Sequence, residues 1–526
     1  MAVTPAVREG SEAGKQGGEP LVYQPDPAEA RSVGTIHDVW HFLGVRSPRP
    51  LDPPSIHLSL PMRPRDPMTC HPASAAAAAI PFDRSHGLRV SPLSGLSFVL
   101  LLLCFLLLSC FLVSAVATAE DWPQWRGANR DGVWRETGLI DAFVGDKIPR
   151  RWSAKIGSGY SGPTVAVGRV FVMDRLAEPE PVERIHCFDR LTGEPRWSHV
   201  YGCSYEGVSY TAGPRASVTI HEGLAYAIGS TGHLHCLDAV SGEVAWERDL
   251  RDEFRIRMPT WGIAASPLIE GDLVILQIGG EGDACVIALD RLTGKTRWQA
   301  LSDDASYASP IIIEQAGRRL LVVWTGERVV GMNPVDGTLM WDFPYHWEKW
   351  PIGIATPVHA GEHLLISEVH KGSLLLRLGQ NEPRVDQVWH RRDNGDPALH
   401  ALMSTPLVID GHIYGADESG ILRCLELETG EQLWQDDSVV PTIRWATVHL
   451  VRNRDRVWMF NDRGELIITR VSPDGLEEIS RSHLLDPTTQ QLRRRDGVTW
   501  SHPAYAHRHI FARNDEELVC ADLSAD

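Results

Sequence analysis

The chain has 526 residues, enough for several small domains or one large repeat architecture. Its 43% hydrophobic and 23% charged residues are ordinary for a globular protein. Residues 1–119 hold nine basic and nine acidic side chains, so the net charge of −17 belongs wholly to residues 120–526; an acidic body repels phosphate backbones, which excludes general nucleic-acid binding.

Residues 1–95 begin with a stretch rich in Pro, Ala and Arg that shows no sustained hydrophobic period. A disordered leader is expected there, with Met68 as an alternative start. Residues 96–119 read as an export signal. Arg84 and Arg89 precede an uncharged apolar run from Leu96 to Val116, and Ala117-Thr118-Ala119 supplies small residues for cleavage after Ala119. The run is also long enough to span a bilayer, so membrane contact through an uncleaved anchor is the alternative. Leu107-Leu108-Ser109-Cys110 resembles a lipoprotein box, but Phe111-Leu112-Val113 continue the apolar run where such a box turns polar. The expected location is the periplasm or cell envelope.

A lead-in segment, residues 120–149, separates the signal from a repeat region at 150–526. The 18 Trp, 46 Gly and 35 Pro suggest a β-rich repeat fold, which needs frequent turns and large flat side chains. Eight strand starts recur: Gly162-Pro163, Ser217-Val218, Ser266-Pro267, Ser309-Pro310, Thr356-Pro357, Thr405-Pro406, Ala446-Thr447 and His502-Pro503. An eleven-residue segment comes after most of them: CFDRLTGEPRW from Cys187, CLDAVSGEVAW from Cys236, ALDRLTGKTRW from Ala288, GMNPVDGTLMW from Gly331 and CLELETGEQLW from Cys424. A strand leads to an acidic residue or Asn, Gly allows a tight turn at positive φ, and a second strand carries Trp. Trp at one fixed place in each unit is suited to lie flat between neighbouring units.

Trp197, Trp246, Trp298, Trp341, Trp389 and Trp434 therefore read as docking residues. The seventh unit has Ile479 instead, and the eighth stops after its third strand. Trp152, in an orphan strand before the first start, supplies the missing one. The expected fold is all-β: an eight-bladed β-propeller of four-stranded antiparallel blades, closed by the N-terminal strand completing the C-terminal blade.

The repeat resembles the tryptophan-docking motif of quinoprotein alcohol dehydrogenases. These belong to the PQQ-like repeat propellers (PQQ is pyrroloquinoline quinone), and BamB-type outer-membrane assembly proteins share the repeat without a cofactor. The lead-in residues DWPQWRG from Asp121 and Asn129-Arg130-Asp131-Gly132 are similar to those of secreted bacterial members. The dehydrogenase resemblance implies PQQ above a Trp floor, Ca2+ held by Glu, Asn and Asp, an Asp base and often a vicinal disulfide. The chain has no adjacent Cys pair and no C-x-x-C-H haem segment, and no Glu/Asn/Asp trio is assigned.

Aromatics precede the strand starts at Tyr160, Tyr210, Trp261, Tyr307, Trp350, Trp445 and Trp500. They would form a collar around a central funnel, with Arg215 and His400 as polar members; the alternative is packing between blades. Trp261 and Trp350 stand further from their Pro, which favours a projecting loop. His233/His235 and His507/His509 each place two rings on one strand face, without a third ligand at useful spacing, and read as surface or turn histidines. Cys187, Cys203, Cys236, Cys285, Cys424 and Cys520 read as small buried thiols. No catalytic or metal-binding residue is assigned.

The expected function is a non-catalytic binding or assembly platform. It would be a monomer with envelope proteins or peptides as partners and no cofactor, similar to BamB-type proteins. The alternative is a PQQ- and calcium-dependent alcohol or polyol dehydrogenase.

Overall fold

The computed structural model describes residues 120–346, 352–392, 397–493 and 496–525, all within one compact unit spanning Val113–Asp526. The leader, the signal and Trp350 lie outside the described residues. Among the described residues, no helix is long and apolar enough to cross a membrane.

The architecture is an eight-bladed β-propeller of four-stranded antiparallel sheets. Strand β1 (Arg150–Lys155) comes first. Blade one is β2 (Thr164–Ala166), β3 (Arg169–Leu176), β4 (Val182–Asp189) and β5 (Pro195–Gly202). Blade two is β6 (Thr219–His221), β7 (Leu224–Ile228), β8 (His233–Asp238) and β9 (Val244–Asp249). The four-residue helix α1 (Leu250–Glu253) comes next. Blades three to six are β10–β13 within 268–300, β14–β17 within 311–344, β18–β21 within 358–391 and β22–β25 within 407–436. Blade seven is β26–β29 within 448–483. Blade eight orders β30 (Ala504–Ala506), β31 (His509–Arg513) and β32 (Glu517–Asp522) against β1, with Trp152 opposite Cys520.

Each part of the repeat has a local cause. In the turn after β4, the Asp189 carboxylate accepts hydrogen bonds from the Leu191 and Thr192 amides while Gly193 takes φ 71°. Asp238, Asp290 and Asn333 do the same work in the next three blades. Across the last strand pair, Trp197 faces Cys187, Trp246 faces Cys236, Trp298 faces Ala288, Trp341 faces Gly331 and Trp434 faces Cys424. The motif's first position is therefore small because an indole lies across from it. The blade-five pair, Leu375 with Trp389, is the exception.

A register shift adjoins that position in all eight blades. A bulge there adds twist to the outer strand and helps turn its Trp toward the neighbouring blade. The indole then donates to a turn carbonyl of that neighbour: Trp152 to Arg190 at 2.9 Å, Trp246 to Arg291 at 3.0 Å, Trp298 to Pro334 at 3.1 Å and Trp389 to Leu427 at 2.8 Å. Trp197 and Trp434 bond Ala239 at 3.3 Å and Ser472 at 2.8 Å. Trp341 departs from the pattern. Its Nε1 donates to Gln315 Oε1 at 2.8 Å, and the Gln315 amide donates to Arg384 O at 2.7 Å. The blade-five hairpin has no Thr-Gly turn, so a carboxamide relays the contact.

The turn glycine is needed where the indole rests on it. A Cβ at Gly242 (φ 77°) would lie 2.6 Å from the Trp197 ring, whereas one at Gly223, also at φ 77°, meets nothing within 4 Å. Gly242→Ala is expected to cost about 1–2 kcal/mol more than Gly223→Ala, since both carry the backbone strain and only the first must displace an indole. Denaturant midpoints of the two variants check this; equal losses would mean that the ring does not rest on the glycine.

In blade seven the register puts Ser480, not Ile479, at the docking position, opposite Ile468, and the lead-in segment covers it, with the Phe143 amide donating to Ser480 Oγ at 2.9 Å. Trp134 is fully buried, edge-on to Trp458 at 5.4 Å, and Phe143 meets the same ring at 6.3 Å. Asn453 donates to the carbonyls of Trp134 and Glu136 at 2.7 and 2.9 Å.

Candidate functional site

The innermost strands are three to six residues long and leave a central channel whose wall is knitted by hydroxyls. The Ser217 amide donates to Ser266 Oγ at 2.9 Å, and the Ser266 amide to Ser309 Oγ at 3.0 Å. Thr356 donates to Thr405 Oγ1 at 3.1 Å, and Val448 to Ser404 Oγ at 3.0 Å. At these four junctions the small polar residues near the strand starts tie a blade to its neighbour.

One mouth is stoppered by the lead-in segment. Trp122 pairs with Val165, Ile220 donates to Pro123 O at 2.8 Å, and Trp125 Nε1 donates to Thr356 Oγ1 at 2.8 Å. Arg130 reaches the carbonyls of Ser266, Pro267 and Pro310. Burial pushes its guanidinium down to about 9 and that of Arg126 to about 10. The segment thus binds at least five blades through backbone and hydroxyl oxygens. Beside it remains a cavity of about 20 Å3, lined by Trp122, Trp125, Arg126, His449 and His502 among others, with room for one water.

Burial lowers His449 to about 4 and holds His502 well below the ordinary imidazole range. His449 Nε2 lies 2.8 Å from Trp500 O and acts as the donor there. An unfolded imidazole binds its proton near pH 6.5, so between about pH 6.5 and 4 the unfolded chain holds more protons. Stability contributed by the neutral ring is therefore lost as the pH falls through that window. The loss at this ring is expected to be about 1–3 kcal/mol. Comparing denaturant midpoints of wild type and His449→Gln at pH 7 and pH 4.5 checks this; equal acid losses would refute the assignment.

The other mouth carries the aromatic residues. Rather than standing apart around a funnel, they touch. Tyr160 stacks on Trp500 at 6.3 Å, and Tyr210 meets Trp500, Trp445 and Trp261 at 6.3, 5.9 and 6.5 Å. Trp261 lies 5.2 Å from Tyr307 and is half-buried, so it does not project. Tyr210, from the loop before blade two, thus reaches the loops before blades seven and eight, and the rings meet across the mouth.

Arg215 is engaged by the carbonyls of Ser209, Tyr210 and Gly213, at 2.7–2.8 Å, and lies over the Tyr160 ring. The His400 Nδ1 lies 2.9 Å from Val369 O. Near it, burial pushes the Glu368 and Glu418 carboxyls up; the Glu368 carboxylate accepts from the His370 amide at 2.8 Å.

The residues of the stoppered mouth do not fit a calcium-held quinone. The stoppered mouth offers two guanidiniums and two imidazoles where converging oxygens are needed. Among the described residues, the one group of three His, Cys, Asp or Glu ligands lies elsewhere, at His199, His235 and Glu247. His235 is buried, not a surface residue, and its partners come from β5 and β9, which spacing along one strand does not reveal. The other histidine pair does not act jointly: His507 contacts Asp121 at 2.8 Å, and His509 contacts the His507 carbonyl. All six described cysteines are free and buried.

The fold and its two filled mouths define a closed, tryptophan-docked eight-bladed propeller. Its repeat is of the PQQ-like type shared by BamB-type and quinoprotein alcohol dehydrogenase-like proteins, and the family model described as outer membrane protein assembly factor BamB matches residues 181–436. A 1-butanol dehydrogenase (quinone) of Thauera butanivorans is 33% identical over 27% of this chain and 23% of its own. The BamB of Yersinia pestis is 23% identical over 44% of this chain and 60% of its own. The chain thus spans less than two thirds of either relative. The crystal structure of BamB from Moraxella catarrhalis superposes with a TM-score of 0.50 at 14% identity, over 71% of this chain and 99% of that one. Quinohemoprotein alcohol dehydrogenase from Comamonas testosteroni gives 0.53 at 12% identity, over 78% and 81%. These structural likenesses concern the fold.

Proposed function

We propose that the protein is a binding platform of the cell envelope that assists outer-membrane protein assembly in the manner of BamB-type proteins. One observation carries this reading. The docking turns of four consecutive blades each present an aliphatic tip to solvent at the same motif position: Leu191, Val240, Leu292 and Val335 are 50, 54, 59 and 74% exposed. These turns adjoin the β2–β3 and β6–β7 turns, as Arg190 and Ala239 donate to Gly168 and Gly223, so the tips rim the stoppered face. Repeated aliphatic tips on an acidic body suit a protein or peptide partner. The filled mouth on that side supports recognition by surface over chemistry in a pocket. Localisation in the periplasm or envelope, with residues 96–119 as signal or anchor, belongs to the same reading.

The test uses the full chain recovered from its own envelope extract. It is expected to co-purify with outer-membrane β-barrel assembly proteins. A Val240→Asp/Leu292→Asp variant should lose them at least tenfold while melting within about 0.5 kcal/mol of wild type, because exposed substitutions cost little. Incubation with PQQ and Ca2+ should yield neither quinone absorbance nor reduction of an artificial electron acceptor. Acceptor reduction, or unchanged co-purification of the double variant, would overturn the proposal.

A further inference from the structure

We infer that His199, His235 and Glu247 form a binding site for a zinc-class divalent ion, which clamps blade one to blade two and leaves one position open to water. His199 lies on β5, the outer strand of blade one, and shares a face with the docking residue Trp197 and with Tyr201. His235 and Glu247 are opposite one another on β8 and β9 of blade two. Three ligand atoms, one from each residue, lie within 4.8 Å of one another. His235 Nε2 stands 3.7 Å from Glu247 Oε2, and the two imidazole centroids are 4.7 Å apart.

The ring nitrogens are the second observation. His199 Nε2 and His235 Nδ1 are buried and lack any hydrogen-bond partner. Leaving a buried polar atom unpaired is unfavourable, and a metal ion ligated by His199 Nε2 would satisfy that nitrogen.

Two imidazoles and one carboxylate are a donor set for Zn2+ with a vacant fourth position. Tetrahedral coordination at about 2.0–2.1 Å wants ligand atoms roughly 3.3 Å apart. The site must therefore tighten by up to about 1.5 Å, and the exposed Glu247 carboxylate is placed to move. Tyr201 backs the pair: its ring lies 4.3 Å from His235, and its hydroxyl donates to Glu183 at 2.6 Å. The ion would join strands of two blades already held by Trp197, by the Ser230 amide donating to Glu183 and by a shared apolar core, and this inference stands apart from the assembly reading.

The test is a metal titration of the full chain, free of any histidine tag and stripped with EDTA. Co2+ is expected to give the visible bands of a low-coordinate site, saturating at one equivalent and displaced by Zn2+. Zn2+ should also raise the melting temperature. Glu247→Gln and His199→Gln should each weaken Zn2+ at least tenfold. Glu247→Gln alters a solvent-facing group, so its metal-free melting should match wild type and show that the fold is intact. Absent Co2+ bands, or Zn2+ affinity unchanged in both variants, would overturn the site.

Discussion

Deleting residues 120–155 is expected to abolish the cooperative melting transition and leave an aggregating product. The cut removes β1, and with it the partner of β32 along Arg150–Lys155. It also removes Trp122, Trp134 and Trp152, which are 3, 0 and 8% exposed. Burying three indoles at roughly 200 Å2 each, at about 25 cal/mol per Å2, amounts to an upper estimate of ~15 kcal/mol. That rivals the whole stability of a typical folded domain, about 5–15 kcal/mol. The cut would further expose the β32 backbone as an open edge and leave the carbonyls of Ser266, Pro267 and Pro310 without Arg130. Thermal melts and size-exclusion profiles of the deleted and full chains provide the measurement. A deleted chain that stays monomeric and melts within a few degrees of the full one would show that these contacts are dispensable.

Trp298→Ala carries the next largest effect, about 3–5 kcal/mol in denaturant unfolding. The ring is 9% exposed, faces Ala288 across the strand pair, rests on Gly337 and donates to Pro334 O. Truncation empties that space and leaves a carbonyl short of its donor. Trp434→Ala is the internal comparison. Its indole makes a similar bond to Ser472 O, but it is only half-buried and no ring approaches Gly475 within 4 Å, so about 1–2 kcal/mol is expected. A loss below ~1 kcal/mol at Trp298, or equal losses at both positions, would contradict docking as the source of inter-blade stability.

The blades were legible because every part of their motif acts locally. An Asp caps its own turn, a Gly takes positive φ a few residues on, and Trp comes after it at fixed spacing. The bulge after Cys187 and its counterparts was not legible, since it is a register offset with no residue type of its own. Nor was the stopper. Arg130 is one arginine in a segment without period, and it is read by carbonyl oxygens of residues far along the chain; backbone acceptors leave no mark in sequence. The aromatic positions before the strand starts were visible, but whether rings stand apart or meet depends on how far opposite loops reach inward. Tyr210 reaches both Trp261 and Trp445. His199 could have been found: it lies two residues beyond docking Trp197, on the face already assigned to the neighbouring blade.

The pairing of Arg150–Lys155 with Glu517–Asp522 also sets an order of events during synthesis. The first propeller strand to leave the ribosome must wait, unpartnered, until the last has been made. So long a wait costs only modest extra loop-closure entropy, but it forbids early completion. A prematurely terminated chain presents two unsatisfied edges at once, each a template for pairing with another chain.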